Sequence, residues 1–126
     1  NVLAIEGAKY NIKSNVIAPI ARTRLTEDLL GPLAERLRPE LVTPLVVFLC
    51  SEACDVTHSI YSVGGGRYGR IFIGMAEGYY SGSDDEVTAE EIQANWGKIH
   101  ADQPYEIPDN IGAEMKALME AAKRAG

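Results

Sequence analysis

Apolar positions along this chain fall into short runs parted by polar, glycine and proline breaks. Val2, Leu3, Ile5 and Ala8 make a partly amphipathic stripe, which predicts the end of a helix over 1–10, with Asn11 as its left-handed stop. No capping residue with room before it opens that helix, so the chain is expected to begin in the middle of an element. Ile12 to Ala18, with β-branched Ile12, Val16 and Ile17, predicts a strand that Pro19 stops. Residues 22–38 read as a polar loop and short helices broken at Gly31-Pro32, with Leu29, Leu30, Leu33 and Leu37 as their apolar stripe. Pro39-Glu40 marks a new start, and Thr43-Pro44 suits an N-cap followed by a first helical residue. The helix through Leu49 is apolar nearly all round and is expected to be buried. Ile60 to Val63 predicts a second strand ended by Gly64-Gly65-Gly66, and Arg70 to Met75 a third extended run.

The character changes at Tyr79. A polar linker over 79–85 leads to Thr88-x-x-Glu91, a capping box, with Ile92, Trp96 and Ile99 on one helix face behind it. Pro104 and Pro108 precede a last helix with the stripe Ile111, Met115, Leu118, Met119 and Ala122. Two strands separated by about forty mostly helical residues point to a parallel β-crossover-β unit. Such a pair cannot cover both of its own faces. The expected fold is therefore α/β: the second half of a doubly wound, Rossmann-type parallel sheet domain, incomplete in this chain, with an α-helical C-terminal extension. The division falls at 1–78 and 79–126.

Composition changes this picture little. The chain has 126 residues, 46% hydrophobic and 24% charged, as an ordinary globular domain does. Its net charge of −6 is uneven: residues 1–66 carry six basic and seven acidic side chains, residues 67–126 six and eleven. Such a surface repels a phosphate backbone, so nucleic acid is not expected as a partner. No window holds the ~18 consecutive apolar residues of a bilayer span, so no membrane partner is expected either. Cys50 and Cys54 lack the spacing of a redox pair or a zinc site with His58 and His100. Two buried free thiols in a reducing, cytoplasmic setting are expected, and no metal.

Three segments could carry chemistry. Gly64-x-Gly66-x-x-Gly69 matches a dinucleotide fingerprint after a strand, and Asp84 follows at a suitable distance. That mechanism needs a helix N-terminus at the third glycine. Arg70-Ile71-Phe72-Ile73 reads as extended instead, so a glycine turn is the expected role. His58-Ser59, and His100 near Asp102, lack the setting of a nucleophile, and the adjacent pairs Asp84-Asp85 and Glu90-Glu91 do not oppose one another across a cleft. Residues 15–26 differ. A strand ends at a proline and small and hydroxyl residues follow at once, where open α/β sheets bind their ligands. Backbone N–H groups after Pro19 and the hydroxyls of Thr23 and Thr26 could meet a polar ligand there.

This same segment, Asn15-x-Ile17-x-Pro19 with hydroxyl residues following, resembles the N-x-[IV]-x-P-G…T motif of short-chain dehydrogenases/reductases. Residues 39–50 are similar to that family's helix before its last core strand, and Ile60-Tyr61-Ser62-Val63-Gly64-Gly65-Gly66 to the strand itself. Within the family the likeness is to the (3R)-hydroxyacyl-CoA dehydrogenase subgroup of multifunctional enzymes. It covers roughly residues 1–75; the tail from about Tyr79 resembles nothing in the family pattern.

The resemblance implies an NAD- or NADP-dependent oxidoreductase acting on a carbonyl or hydroxyl substrate, 3-hydroxyacyl-CoA among the candidates, and working as a homo-oligomer. It implies that Pro19, Ile20, Ala21 and Thr23 border the nicotinamide, with Thr23 or the backbone near Ile20 meeting the carboxamide. Leu25, Leu29 and Leu30 would face the substrate. The helix through Phe48 and the strand 60–63 would lie at a subunit interface. Ile20 and Ala21 stand where many relatives have glycine. No Tyr-x-x-x-Lys pair occurs in the 126 residues, so the proton-handling pair of the family is absent and no catalytic residue is assigned. Two other readings remain: a non-catalytic association module, and a small nucleotide-binding domain using Gly64–Gly69.

Overall fold

The β-branched run at Val16-Ile17 and the second at Ile60-Tyr61-Ser62-Val63 pair as predicted, in parallel. In the computed structural model, which describes residues 1–24, 31–83, 85–110 and 112–126, strand β1 (Val16–Pro19) runs beside β2 (Ile60–Gly64) with Val16 opposite Ile60 and Pro19 opposite Val63. A hairpin then brings β3 (Arg67–Ile71) antiparallel to β2, so the sheet order is β1-β2-β3. The turn is Gly65-Gly66 alone, both at positive φ (59° and 83°), the two-residue hairpin that glycine makes without steric cost. The crossover from β1 to β2 includes 3-10 turns at Gly31–Arg36 and Pro39–Leu41 and helix α2 (Thr43–Leu49).

The chain divides into two units, 1–72 and 73–126. The first holds α1 (Val2–Gly7), a 3-10 turn over Ala8–Tyr10, and the three-stranded sheet. Asn11 takes the left-handed conformation expected of it (φ 57°, ψ 32°), and the chain folds back so that the Ile12 N–H reaches the Gly7 carbonyl at 3.0 Å. The second unit joins β4 (Met75–Ala76) antiparallel to β5 (Tyr105–Glu106). It also holds α3 (Ala89–Ala94), α4 (Trp96–His100) and α5 (Gly112–Ala125).

Several expectations need correction, most of them about which face is covered. Ala4 and Gly7 are the buried positions of α1, while Val2, Leu3 and Ile5 are exposed. Small side chains allow the close approach, since a Cβ on Gly7 would lie 3.0 Å from the Ile12 Cβ. Helix α2 buries none of its residues: Val47 is 63% exposed and Phe48 49%. It starts at Thr43 with Val42 as N-cap and Pro44 inside the first turn, one residue earlier than read. In α5, half-buried Ala113, Ala117 and Ala121 share one face, and Met115, Leu118 and Met119 are exposed. Cys50 is exposed and only Cys54 is buried; both are free thiols. The third extended run begins earlier, at Arg67, and ends at Ile71.

The chain exposes 10113 Å². A self-contained body of this mass exposes about 6,600 Å², and two separate bodies of these sizes about 7,900 Å². The fold therefore leaves apolar faces bare that a finished α/β layer would cover.

Candidate functional site: the loop at the carboxyl end of β1

The parallel pair aims both of its strand ends at one edge of the sheet. At the start of β1, Asn15 works as a two-way clamp: its Nδ2 donates to the Val56 carbonyl (2.9 Å) and its Oδ1 accepts from the Ser59 N–H (3.2 Å). Beside it the Ser14 N–H donates to Thr57 Oγ1 (2.9 Å) and the His58 N–H to the Ser14 carbonyl (2.8 Å). His58 adopts positive φ (62°) in making this junction. His58 and Ser59 thus serve to seat β1 beside β2. Asn15 was visible in the sequence as a motif letter; its two bonds span more than forty positions, and nothing local announces them.

Pro19 does not stop the strand but belongs to it. The reason is parity. Val16 donates to the Ser59 carbonyl (2.9 Å) and Ile20 to the Val63 carbonyl (2.8 Å), so the even-numbered N–H groups point at β2. The nitrogen of Pro19 falls on the opposite edge, where a missing N–H costs no bond of this ladder. One residue on, Ile20 lies against Gly64. A Cβ there would sit 2.6 Å from the Ile20 carbonyl oxygen and 3.0 Å from its Cβ. The Arg22 N–H then donates to the Leu37 carbonyl at 2.6 Å, and its guanidinium lies 3.7 Å from Glu35.

Residues 19–23 are therefore held at three points: the Val63 carbonyl, the glycine face of β2 and the Leu37 carbonyl. Ile20 is exposed, Ala21 and Arg22 are half-buried and Thr23 is exposed. The N–H groups of Ile20 and Arg22, expected to be open to a ligand, are spent on the fold. Of the residues expected to face the substrate, Leu25, Leu29 and Leu30, with Thr26, lie outside the described residues. Among its described residues the loop offers hydroxyl, backbone and apolar contact, and residues 19–23 include no carboxylate, imidazole or thiol.

The glycine fingerprint is a hairpin. Arg67–Ile71 after Gly66 is strand, so no helix begins at the third glycine as the pyrophosphate cradle requires. Among the described residues no group of three or more His, Cys, Asp or Glu could hold a metal ion. No helix is long and apolar enough to cross a membrane, among the described residues.

In the second unit the capping box forms by half. Thr88 Oγ1 accepts from the Glu91 N–H (3.2 Å), but the Glu91 carboxylate turns instead to the Ser81 and Tyr79 hydroxyls, both donating at 2.7 Å. Those two bonds, Ser81 first, hold the Glu91 carboxyl below its ordinary value, and the bond to Glu91 pushes the Tyr79 phenol up. A lowered carboxyl stabilises the fold above its ordinary pKa and gives that stability back as pH falls through the folded value. The raised phenol does the reverse at the alkaline end. Melts between roughly pH 3 and pH 7 are expected to fall more steeply on acidification for the wild type than for Glu91→Gln; parallel curves would count against this bond network.

No family model matches the chain. A short-chain type dehydrogenase/reductase of Mycobacterium tuberculosis is 44% identical over 100 residues, covering 79% of this chain and 34% of that protein. The mouse peroxisomal multifunctional enzyme type 2 is 38% identical over 124 residues, covering 94% of this chain and 17% of its own length. The solved structure of full-length peroxisomal multifunctional enzyme type 2 from Drosophila melanogaster superposes with a TM-score of 0.80 and 28% identity, over 98% of this chain and 23% of that one. The chain thus spans about a third or less of these relatives. Coverage of 94% and 98% takes in most of residues 79–126, so the tail is part of the likeness after all. Over most of its own length the chain is thus similar to short-chain dehydrogenases/reductases and to the peroxisomal multifunctional enzymes.

Proposed function

We propose that this chain is the C-terminal part of an NAD(P)-dependent oxidoreductase that interconverts a hydroxyl and a carbonyl on a 3-hydroxyacyl substrate carried as a CoA thioester. Residues 1–78 supply the end of the dehydrogenase domain, and 79–126 a helical extension of it. The observation that carries the reading is the pinned loop 19–23 at the carboxyl edge of a parallel pair. Its fit to a dinucleotide is physical: Gly64 lets Ile20 seat against the strand, and Pro19, Ile20 and Ala21 give an apolar border beside the Thr23 hydroxyl. With the Ile20 N–H taken by Val63, Thr23 is the side chain we assign to the carboxamide. NAD or NADP, when bound, supplies the hydride acceptor or donor.

Leu25, Leu29 and Leu30 are assigned to the substrate's acyl part. The proton is handled elsewhere in the enzyme, since this chain holds no Tyr-x-x-x-Lys pair. The exposed faces of α1 and α2 suit a homo-oligomer, with α2 and β2 at the subunit contact. Both cysteines being free thiols suits a reducing compartment such as the cytoplasm, although the mouse and Drosophila relatives are named for the peroxisome.

Thr23→Val in the full-length enzyme is expected to raise KM for the dinucleotide about tenfold, the worth of one good hydrogen bond to a polar ligand. Gly66→Val, in the hairpin turn at φ 83°, is expected to lower stability and leave that KM in place. The opposite pattern would favour the small nucleotide-binding domain. An oligomer that binds no dinucleotide would favour the association module.

A further inference from the structure

The carboxyl edge of the sheet gathers arginines from three separate segments. The bond from the Arg22 N–H to the Leu37 carbonyl brings the loop after β1 beside Arg36-Leu37-Arg38. The β2–β3 turn arrives at the same place: a Cβ on Gly65 would lie 3.3 Å from Leu37 Cδ2 and 3.7 Å from the Arg36 carbonyl oxygen. Arg67 follows that turn, its backbone opposite Gly64 at the edge, and its guanidinium lies back along β3, 3.3 Å from the place a Gly69 side chain would fill. Glu35 lies 3.7 Å from Arg22, Glu40 follows Pro39, and Glu27 and Asp28 of the loop after β1 lie outside the described residues. Among the described residues, no ion pair takes up Arg36, Arg38 or Arg67. The second unit offers nothing comparable, with four basic against eleven acidic side chains.

Guanidinium groups are the side chains that bind phosphate in a fork, and an unpaired set beside a binding rim focuses anions onto it. We propose that Arg36, Arg38 and Arg67 seat the phosphates of the substrate's carrier, which leaves the acyl part to run toward the loop after β1. This rests on the thioester reading above and adds to it where the polyanionic end of the substrate binds. The phosphates at issue are those of coenzyme A; the 2′-phosphate of NADP offers the same chemistry and has its own arm in the test.

The test uses the full-length enzyme and one 3-hydroxyacyl group on two carriers, coenzyme A and phosphate-free N-acetylcysteamine. Replacing Arg36, Arg38 and Arg67 together by alanine is expected to raise KM for the CoA thioester at least about tenfold, as loss of charge-assisted bonds to phosphate does. KM for the N-acetylcysteamine thioester and for the dinucleotide is expected to move less than about twofold, and lysine at the three positions to restore part of the loss. An unchanged KM for the CoA thioester overturns the proposal and leaves the thioester reading standing. Equal rises for both thioesters, or a rise confined to NADP(H), overturn it as well. A wild-type enzyme that turns over neither thioester removes the reading on which the proposal rests.

Discussion

Gly64→Ala will disable the loop after β1 although it adds one methyl group. The new Cβ would stand 2.6 Å from the Ile20 carbonyl oxygen and 3.0 Å from the Ile20 Cβ. The nearest atom is backbone, held by the bond from the Ile20 N–H to Val63, so it cannot swing aside as a flexible side chain would. Either β2 parts from β1 or residues 20–22 are displaced. Overpacking of this kind costs about 1–3 kcal/mol or somewhat more. Denaturation of the full-length enzyme should show that loss, and KM for the dinucleotide should rise with it. Gly66→Ala is the control. Nothing lies within 4 Å of its Cβ, and only the positive φ of 83° is strained, at about 1–2 kcal/mol. Equal stability of the Gly64→Ala and wild-type enzymes would mean that the contact relaxes freely, and the loop would lose its main support.

The second large effect is expected at Asn15. Removing its amide leaves the half-buried Ser59 N–H without its partner, while the Val56 carbonyl, on an exposed residue, keeps the Cys54 thiol. The loss costs about 1–3 kcal/mol, most of it at Ser59. Asn15→Asp keeps the acceptor for Ser59 and loses the donor to Val56, so it should fall between alanine and wild type. Hydrogen exchange reads the same event locally: the Ser59 amide should lose protection in Asn15→Ala while β3 amides keep theirs. Unchanged protection at Ser59 would show that the strands hold register without the clamp.

How much of this was legible in the sequence depended on the kind of force involved. Local steric signals read through faithfully. Asn11 as a left-handed stop, Thr88 as an N-cap and Gly65-Gly66 as a turn each rest on a few neighbouring atoms. The parallel pairing of Val16–Pro19 with Ile60–Gly64 was legible too, because two apolar runs about forty residues apart have few ways to meet. Burial was read poorly. Periodicity identifies the apolar side of a helix but is silent on what lies opposite it. Hence Val2, Leu3 and Ile5 of α1 and Met115, Leu118 and Met119 of α5 came out exposed, and the nearly all-apolar α2 buries none of its residues fully. Pro19 was misjudged for a third reason: its cost depends on which edge of the strand its nitrogen faces, and parity against β2 is a property of the pairing.

Of the candidate loop, the point where the chain leaves β1 was legible and the bonding was not. The proline and the hydroxyls are local signals, while the partners that hold the loop, Val63, Gly64 and Leu37, stand far along the chain.

The two ladders of the sheet close loops of very different length. β2 and β3 need only Gly65-Gly66 between them, whereas β1 meets β2 across about forty residues, an additional closure entropy of roughly 2.5 kcal/mol at the start of folding. The hairpin can thus nucleate first and wait for β1 to arrive. The loop after β1 hangs on that later event, so it is the last part of the sheet to exist during folding and the first to be lost when the sheet begins to come apart.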